Sequence, residues 1–144
     1  MKQRSFVLLL FFVFASVHFA YAQLSKDELS VQEMKFCTDI VDRVPVGAGD
    51  NFSGSLEKIY CYTEVANTGE PVQISHAWYY NDQKVGEVFL NIGKSSAWRT
   101  WSSKKILKSW TGQWKVEVLS PSGEVLETKD FIVGTGPEYE MTEY

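Results

Sequence analysis

The sequence is poor in the residues that build metal, disulfide and acyl-transfer sites. It has only two cysteines and two histidines among 144 residues. Two cysteines exclude a disulfide-dense miniprotein and are too few for a zinc site without help from histidine. His18 lies in the N-terminal apolar segment, which leaves His76 as the one histidine of the remaining chain. Since no G-x-S-x-G motif accompanies it, we predict no enzyme, no catalytic residue, no metal ligand and no cofactor, and we interpret His76 as a hydrogen-bonded structural residue.

An excess of positive charge is absent too. The formal net charge is -4, which excludes a generally basic nucleic-acid-binding protein. Hydrophobic residues make up 44% of the chain and charged residues 22%, as in an ordinary globular protein. The length suits one domain better than two.

The N-terminus has the three parts of a secretory signal peptide. Lys2 and Arg4 provide positive charge, residues 6–14 form an unbroken apolar run, and residues 20–22 read AYA, a small-x-small cleavage motif. The apolar run is short for a membrane-spanning helix, which needs about 20 residues. We therefore predict a signal peptide over residues 1–22, cleavage after Ala22, and export to the periplasm or the medium. No later segment is apolar enough to span a bilayer.

Export affects the interpretation of the two cysteines, Cys37 and Cys61. Paired thiols in an oxidising compartment tend to form disulfides, and these two lie on what we predict to be different strands. We predict one intramolecular disulfide between them. Two buried free thiols are the alternative.

The chain after the signal peptide alternates between β-forming segments and turn signals, with no convincing amphipathic helix. This pattern predicts an all-β fold, an antiparallel immunoglobulin/fibronectin-like β-sandwich of about seven strands in a single domain over residues 23–133. A small closed barrel is the alternative. Residues 134–144 are acidic and contain glycine and proline, which predicts a flexible tail. The predicted strands cover residues 31–41, 56–66, 72–80, 85–92, 97–106, 114–119 and 125–133.

Several short strings resemble a bacterial envelope family known only as domain of unknown function 2914. They are FC at 36–37, RVPVG at 43–47, IYCYTEV at 59–65, HAWYY at 76–80, WRTWSSK at 98–104 and GQWKV at 112–116. The resemblance extends over residues 36–133. It implies a bacterial source, an all-β fold and an exported or envelope-associated setting, and it brings no catalytic residues.

Charge and aromatic residues are unevenly distributed along the chain. Residues 88–116 contain six basic residues and no acidic one, together with four of the five tryptophans. Such segregation creates a local positive field on an acidic protein.

Trp98 and Trp101 are three positions apart, so a regular strand directs them to opposite faces. We expect Trp98 to pack inward and Trp101 to lie on the outer face beside Arg99, where a cation–π contact can form. The competing interpretation places the tryptophans in the core, as is common for this residue. The predicted binding residues are Trp98, Arg99, Trp101, Lys104 and Lys105.

These features favour a non-catalytic, exported module that binds an anionic or sugar-bearing partner of the cell envelope through a basic aromatic face. An anionic glycan, a lipid headgroup or a protein fits this description, because arginine pairs with phosphate and carboxylate groups. The alternative is a structural or assembly domain that docks onto another envelope protein. An enzyme ranks last.

Overall fold

The computed structural model describes residues 28–134, in which every regular element is a β-strand. The predicted signal peptide and residues 135–144 of the predicted tail lie outside the described residues. Within the described part, no helix has the length and apolarity to cross a membrane. The strands are β1 (Leu29–Cys37), β2 (Asp39–Val41), β3 (Val44–Val46), β4 (Asn51–Phe52), β5 (Lys58–Asn67), β6 (Val72–Tyr80), β7 (Gln83–Ile92), β8 (Ser95–Lys105), β9 (Gly112–Leu119) and β10 (Val125–Val133).

The seven long strands form two sheets that enclose a common core. One sheet has the order β1-β5-β8, and the other has the order β4-β10-β9-β6-β7. All pairs between long strands are antiparallel, while the two-residue strand β4 joins β10 in parallel. The predicted all-β antiparallel sandwich of about seven strands is therefore confirmed.

Period-two alternation accounts for the strands that form the core. In β9, Trp114, Val116 and Val118 are buried, while Lys115 and Glu117 between them are partly exposed. Successive side chains of a strand point to opposite faces, so this pattern buries one face and leaves the other in contact with water. The alternation of the sequence thus places one side of β9 in the core.

Aromatic rings fill the space between the sheets. The ring of Phe131 lies 4.4 Å from that of Phe36, 5.7 Å from that of Trp114 and 6.2 Å from that of Trp78, centroid to centroid. All four side chains are at most 1% exposed. Aromatic side chains each bury about 150–250 Å², so this cluster is a large part of the apolar area removed from water.

The connection between β1 and β5 contains a short hairpin that the sequence did not predict. Strands β2 and β3 pair in register, with Ile40 opposite Pro45 and Val41 opposite Val44. The two turn residues between them have positive φ angles of 49° and 64°, as in a type I′ hairpin turn. Ile40 and Pro45 are partly buried, whereas Val41 and Val44 are exposed.

This β2–β3 hairpin lies against the outer face of the β1-β5-β8 sheet. Strand β2 contacts β5, and β3 contacts β1. Tyr62 of β5 alternates with the core residues Cys61 and Thr63, yet it is only 2% exposed. The hairpin therefore covers part of a sheet face that would otherwise be open to water.

The predicted disulfide between Cys37 and Cys61 is wrong, because both residues are free, buried thiols. The register of β1 and β5 explains this result: Cys61 is opposite Phe36, and Cys37 is opposite Tyr60. This offset of one residue sends the two side chains to opposite faces of the sheet. Cys61 belongs to the core cluster, whereas Cys37 lies on the other face. Burial raises the pKa of both thiols.

Candidate functional site

Strand β8 divides the predicted binding residues between its two faces. The hydroxyl of Ser102 bonds with His76 and Trp78 of the facing sheet, so this side of β8 points to the core. Trp98 and Lys104 lie an even number of residues from Ser102 and share its face. The structure places the other three predicted residues together on the outer face: Arg99, Trp101 and Lys105.

Trp98 packs inward, as the sequence indicated. Its partly exposed ring contacts the core cluster and lies across Gly93 in the turn before β8. A Cβ atom on Gly93 would come within 2.6 Å of Cζ3 of Trp98, a distance that side chains do not tolerate. The lack of a side chain at this glycine lets the indole close the end of the sandwich.

Lys104 belongs to an aromatic cluster at one end of the sandwich rather than to the outer face. Its ammonium lies 5.7 Å from the ring centre of Trp110, which is within cation–π range. The Trp110 ring stacks on Tyr80 at 5.7 Å and tilts against Trp114 at 5.6 Å. The Tyr80 hydroxyl donates a 2.8 Å hydrogen bond to the carbonyl of Thr111. Lys104 is thus separated from the other two charged residues of the predicted site.

On the outer face, Arg99 is the cross-strand partner of Glu64. The Nε atom of Arg99 lies 3.7 Å from Oε2 of Glu64, and the Arg99 side chain is 47% exposed. An exposed pair of this length contributes little to stability and leaves most guanidinium donors free. Trp101, opposite Tyr62, is partly buried. Arg99 is therefore available to an external anion.

Lys105 lies directly opposite Lys58 of β5. Like charges in this position destabilise a sheet by some tenths of a kcal/mol. Among residues 28–134, neither lysine has a carboxylate within ion-pair distance. The ammonium of Lys58 lies 5.8 Å from the ring centre of Tyr60 on the same face. This end of the outer face combines two free positive charges with an aromatic ring.

The basic residues of 88–116 do not form one continuous patch. Lys115 is on the other sheet, with its ammonium 3.4 Å from Glu117 and 4.7 Å from the ring centre of Tyr79. The positive charge that is concentrated in residues 88–116 of the sequence is thus divided between two faces of the sandwich.

Sequence reasoning missed Arg43. This residue is at the tip of the β2–β3 hairpin and, together with Arg99 and Trp98, lines a surface depression at the start of β8. The segment VDRV at 41–44 contains a polar pair between β-branched residues. That is a hairpin signal, although it lacks the glycine that makes such signals strong.

His76 forms a buried polar bridge between the two sheets. Its Nδ1 lies 2.7 Å from Oγ of Ser102, and its Nε2 lies 3.2 Å from Oγ1 of Thr63. The indole N–H of Trp78 donates to the same Ser102 hydroxyl at 3.1 Å. His76 is fully buried, and this burial lowers its pKa to about 4. The imidazole is therefore neutral at pH 7, and its hydrogen bonds are structural.

Among residues 28–134, no three His, Cys, Asp or Glu side chains cluster closely enough to hold a metal ion.

Residues 71–133 match the family model described as Protein of unknown function (DUF2914). The predicted resemblance to this family is confirmed for that segment, which contains strands β6 to β10 and hence all of β8. No curated protein matches the chain.

Two similar solved structures are crystal structures of β-glucosidase from Kluyveromyces marxianus, one labelled with selenomethionine and one in complex with glucose. Each is 14% identical to this chain over 74% of its length, with TM-scores of 0.42 and 0.43 respectively. The chain spans 14% of the length of each of these proteins.

Proposed function

We propose that this protein is a non-catalytic, exported binding module that contacts an anionic or sugar-bearing partner in the cell envelope. The outer face of β8 is the contact surface. The observation that carries the proposal is the alignment of Arg99, Trp101 and Lys105 on one side of one strand, with Lys58 directly opposite Lys105.

The spacing of these side chains favours an extended partner. Arg99 and Lys105 are six residues apart on one strand, a distance of about 20 Å at the usual rise per residue. Trp101 lies between them and offers an aromatic surface for a sugar ring. A polymer with repeated negative charges can contact both ends of this row at once, whereas a small anion contacts only one.

The electrostatics of the sheet support the same partner. Lys58 and Lys105 repel each other across the β5–β8 pair, and an anion bound to both offsets this repulsion. The local charge contrasts with the net charge of -4 for the whole chain. A localised positive surface on an acidic protein favours recognition of a specific anionic partner over general adhesion to polyanions.

The surroundings of His76 support a non-catalytic role. Histidine is the side chain best suited to proton transfer near pH 7. Here it is fully buried and is held between Thr63 and Ser102 by hydrogen bonds. An imidazole in this position cannot reach a substrate at the surface.

Isothermal titration of the exported chain with polygalacturonate, an anionic polysaccharide, tests the proposal. We expect saturable binding that weakens as salt is added, and no binding to the neutral polymer dextran. Arg99→Gln and Lys105→Gln should each reduce the affinity several-fold. Lys115→Gln on the other sheet is the matched control and should leave the affinity unchanged. Equal losses in the control and in the β8 variants would contradict the proposal.

Docking onto another envelope protein is the second candidate function. The solvent side of the β2–β3 hairpin carries Val41, Val44 and Val46, which are 48%, 49% and 46% exposed. These valines form an apolar stripe, which is flanked by Asp42 and Arg43 on one side and by Asp39 on the other. Such a surface matches a protein partner of mixed charge better than it matches a polyanion. Photo-crosslinking from position 44 in the envelope should then capture one defined protein. Capture that survives Val41→Ser and Val46→Ser together would count against this candidate.

A further inference from the structure

The tip of the β2–β3 hairpin and the start of β8 line an open surface depression of about 350 Å³. Two arginines from different elements are among its lining residues, Arg43 of the hairpin and Arg99 of β8. No carboxylate lines it. Arg43 forms no ion pair with any residue of the described part of the chain. The lining residues are Arg43, Ser95, Ala97, Trp98 and Arg99.

Arg43 occupies a backbone conformation that favours glycine. Its φ angle is 64°, and that of Asp42 before it is 49°. A side chain in this left-handed region is strained, whereas glycine forms the same turn without strain. The strained position places a positively charged residue at the tip of the hairpin, where it lines the same depression as Arg99. Strain of this kind is concentrated at ligand-binding positions in proteins.

We propose that this depression binds the phosphate group of a sugar phosphate, with the phosphate between Arg43 and Arg99. The inference rests on the proposed function, since Arg99 belongs to both surfaces, and it names phosphate as the anion. A guanidinium has five donors in a planar fork that pair bidentately with phosphate oxygens. Phosphate has enough oxygens to accept hydrogen bonds from two arginines at once, whereas a carboxylate has only two oxygens.

The size of the depression suits a small bound group. Its volume of about 350 Å³ is at the lower end of the range for small-molecule sites. This volume suits one sugar phosphate, or one such unit at the end of a larger glycan.

Nuclear magnetic resonance of the exported chain, with glucose 1-phosphate as the probe, tests this site. We expect saturable shifts of the Nε–H signals of Arg43 and Arg99. Glucose, and sodium chloride at matched ionic strength, should produce no such shifts. Shifts with sodium chloride equal to those with glucose 1-phosphate would overturn the site.

Arg43→Gly removes the guanidinium and relieves the backbone strain in one substitution. We expect at least a tenfold loss of affinity for glucose 1-phosphate with no decrease in melting temperature. Asp82→Gly is the matched control, because Asp82 has a φ angle of 63° in the β6–β7 turn and lies outside the depression. This control should leave the affinity unchanged. Unchanged binding by Arg43→Gly, or an equal loss in both variants, would overturn the inference.

The two probes separate this inference from the proposed function. A chain that binds polygalacturonate but shows no saturable response to glucose 1-phosphate overturns the phosphate site and supports the binding function of β8. A chain that binds glucose 1-phosphate but not polygalacturonate overturns the extended contact surface and supports the phosphate site.

Discussion

The burial of His76 makes the stability of the fold depend on pH in a way that one variant can isolate. Burial lowers the pKa of His76 from 6.5 to about 4. The unfolded chain binds a proton at this residue below about pH 6.5, whereas the folded chain does not until about pH 4. The free energy of unfolding is therefore highest above pH 6.5 and falls as the pH decreases from 6.5 towards 4.

The size of this effect follows from the two pKa values. The full difference corresponds to about 3 kcal/mol, since one pKa unit is worth about 1.4 kcal/mol. At pH 5 the proton bound by the unfolded chain accounts for about 2 kcal/mol of lost stability. A loss of this size is a large fraction of the roughly 5–15 kcal/mol that stabilises a typical domain.

Urea unfolding followed by tryptophan fluorescence, at several pH values between 7.5 and 4.5, measures this dependence. The protein used begins at Gln23, so His76 is its one histidine. His76→Gln should be less stable at every pH, because it disrupts the bridge to Ser102 and Thr63, but its stability should vary less with pH. Glu87 accepts hydrogen bonds from Lys84 and Ser75, which lower its pKa. Its effect has the same sign, so the difference between wild type and variant isolates His76. An identical pH dependence in the two proteins would refute the reasoning.

Three further predictions address the core, the cysteines and the N-terminus. Trp101→Ala should reduce the free energy of unfolding by about 1–2 kcal/mol, because the ring is partly buried outside the core cluster. Trp114→Ala, in the core, should reduce it by about 3–5 kcal/mol. Equal losses of the two variants in urea titrations would place Trp101 in the core. Maleimide treatment of the denatured, unreduced protein should add two labels by mass, since both thiols are free, and a protein without label would mean that a disulfide had formed. The intact mass of the exported protein should correspond to a chain that starts at Gln23, and retention of residues 1–22 would contradict the predicted signal peptide.

The sequence predicted the long strands well because alternation and turn signals agree there. The bounds of β6 and β10 match the predicted residues 72–80 and 125–133. In β6, Ile74, His76 and Trp78 alternate along the core-facing side, and the strand ends at the turn residues Asn81 and Asp82. Local pattern and tertiary burial therefore favour the same structure.

Features that depend on register or on distant contacts were not predictable. The disulfide prediction failed because a shift of one residue between β1 and β5 decides whether Cys37 and Cys61 share a face, and cysteine spacing does not reveal this register. The β2–β3 hairpin has strands of only three residues, too short for a reliable periodicity signal. Its position over Tyr62 is set by packing against β1 and β5.

The candidate site was predictable in part for the same reasons. Strand geometry alone separated Trp98 from Trp101 and placed Arg99 on the outer face. It also implied that Lys104 lies on the opposite side from Lys105, a consequence that the predicted set of binding residues did not take into account. The role of Arg43 was not predictable, because the fold brings it to the same depression as Arg99 from a distant part of the chain.

The most direct test of a β8 binding surface is the affinity for polygalacturonate of the wild type and of a variant with both Arg99→Gln and Lys105→Gln, measured at low salt. If the outer face of β8 binds the polymer, the affinity of the double variant should fall by about tenfold or more, which is equivalent to about 1.4 kcal/mol or more of binding free energy. The Lys115→Gln control should bind like the wild type. A double variant that binds as tightly as the wild type would contradict the assignment of this face as the binding surface.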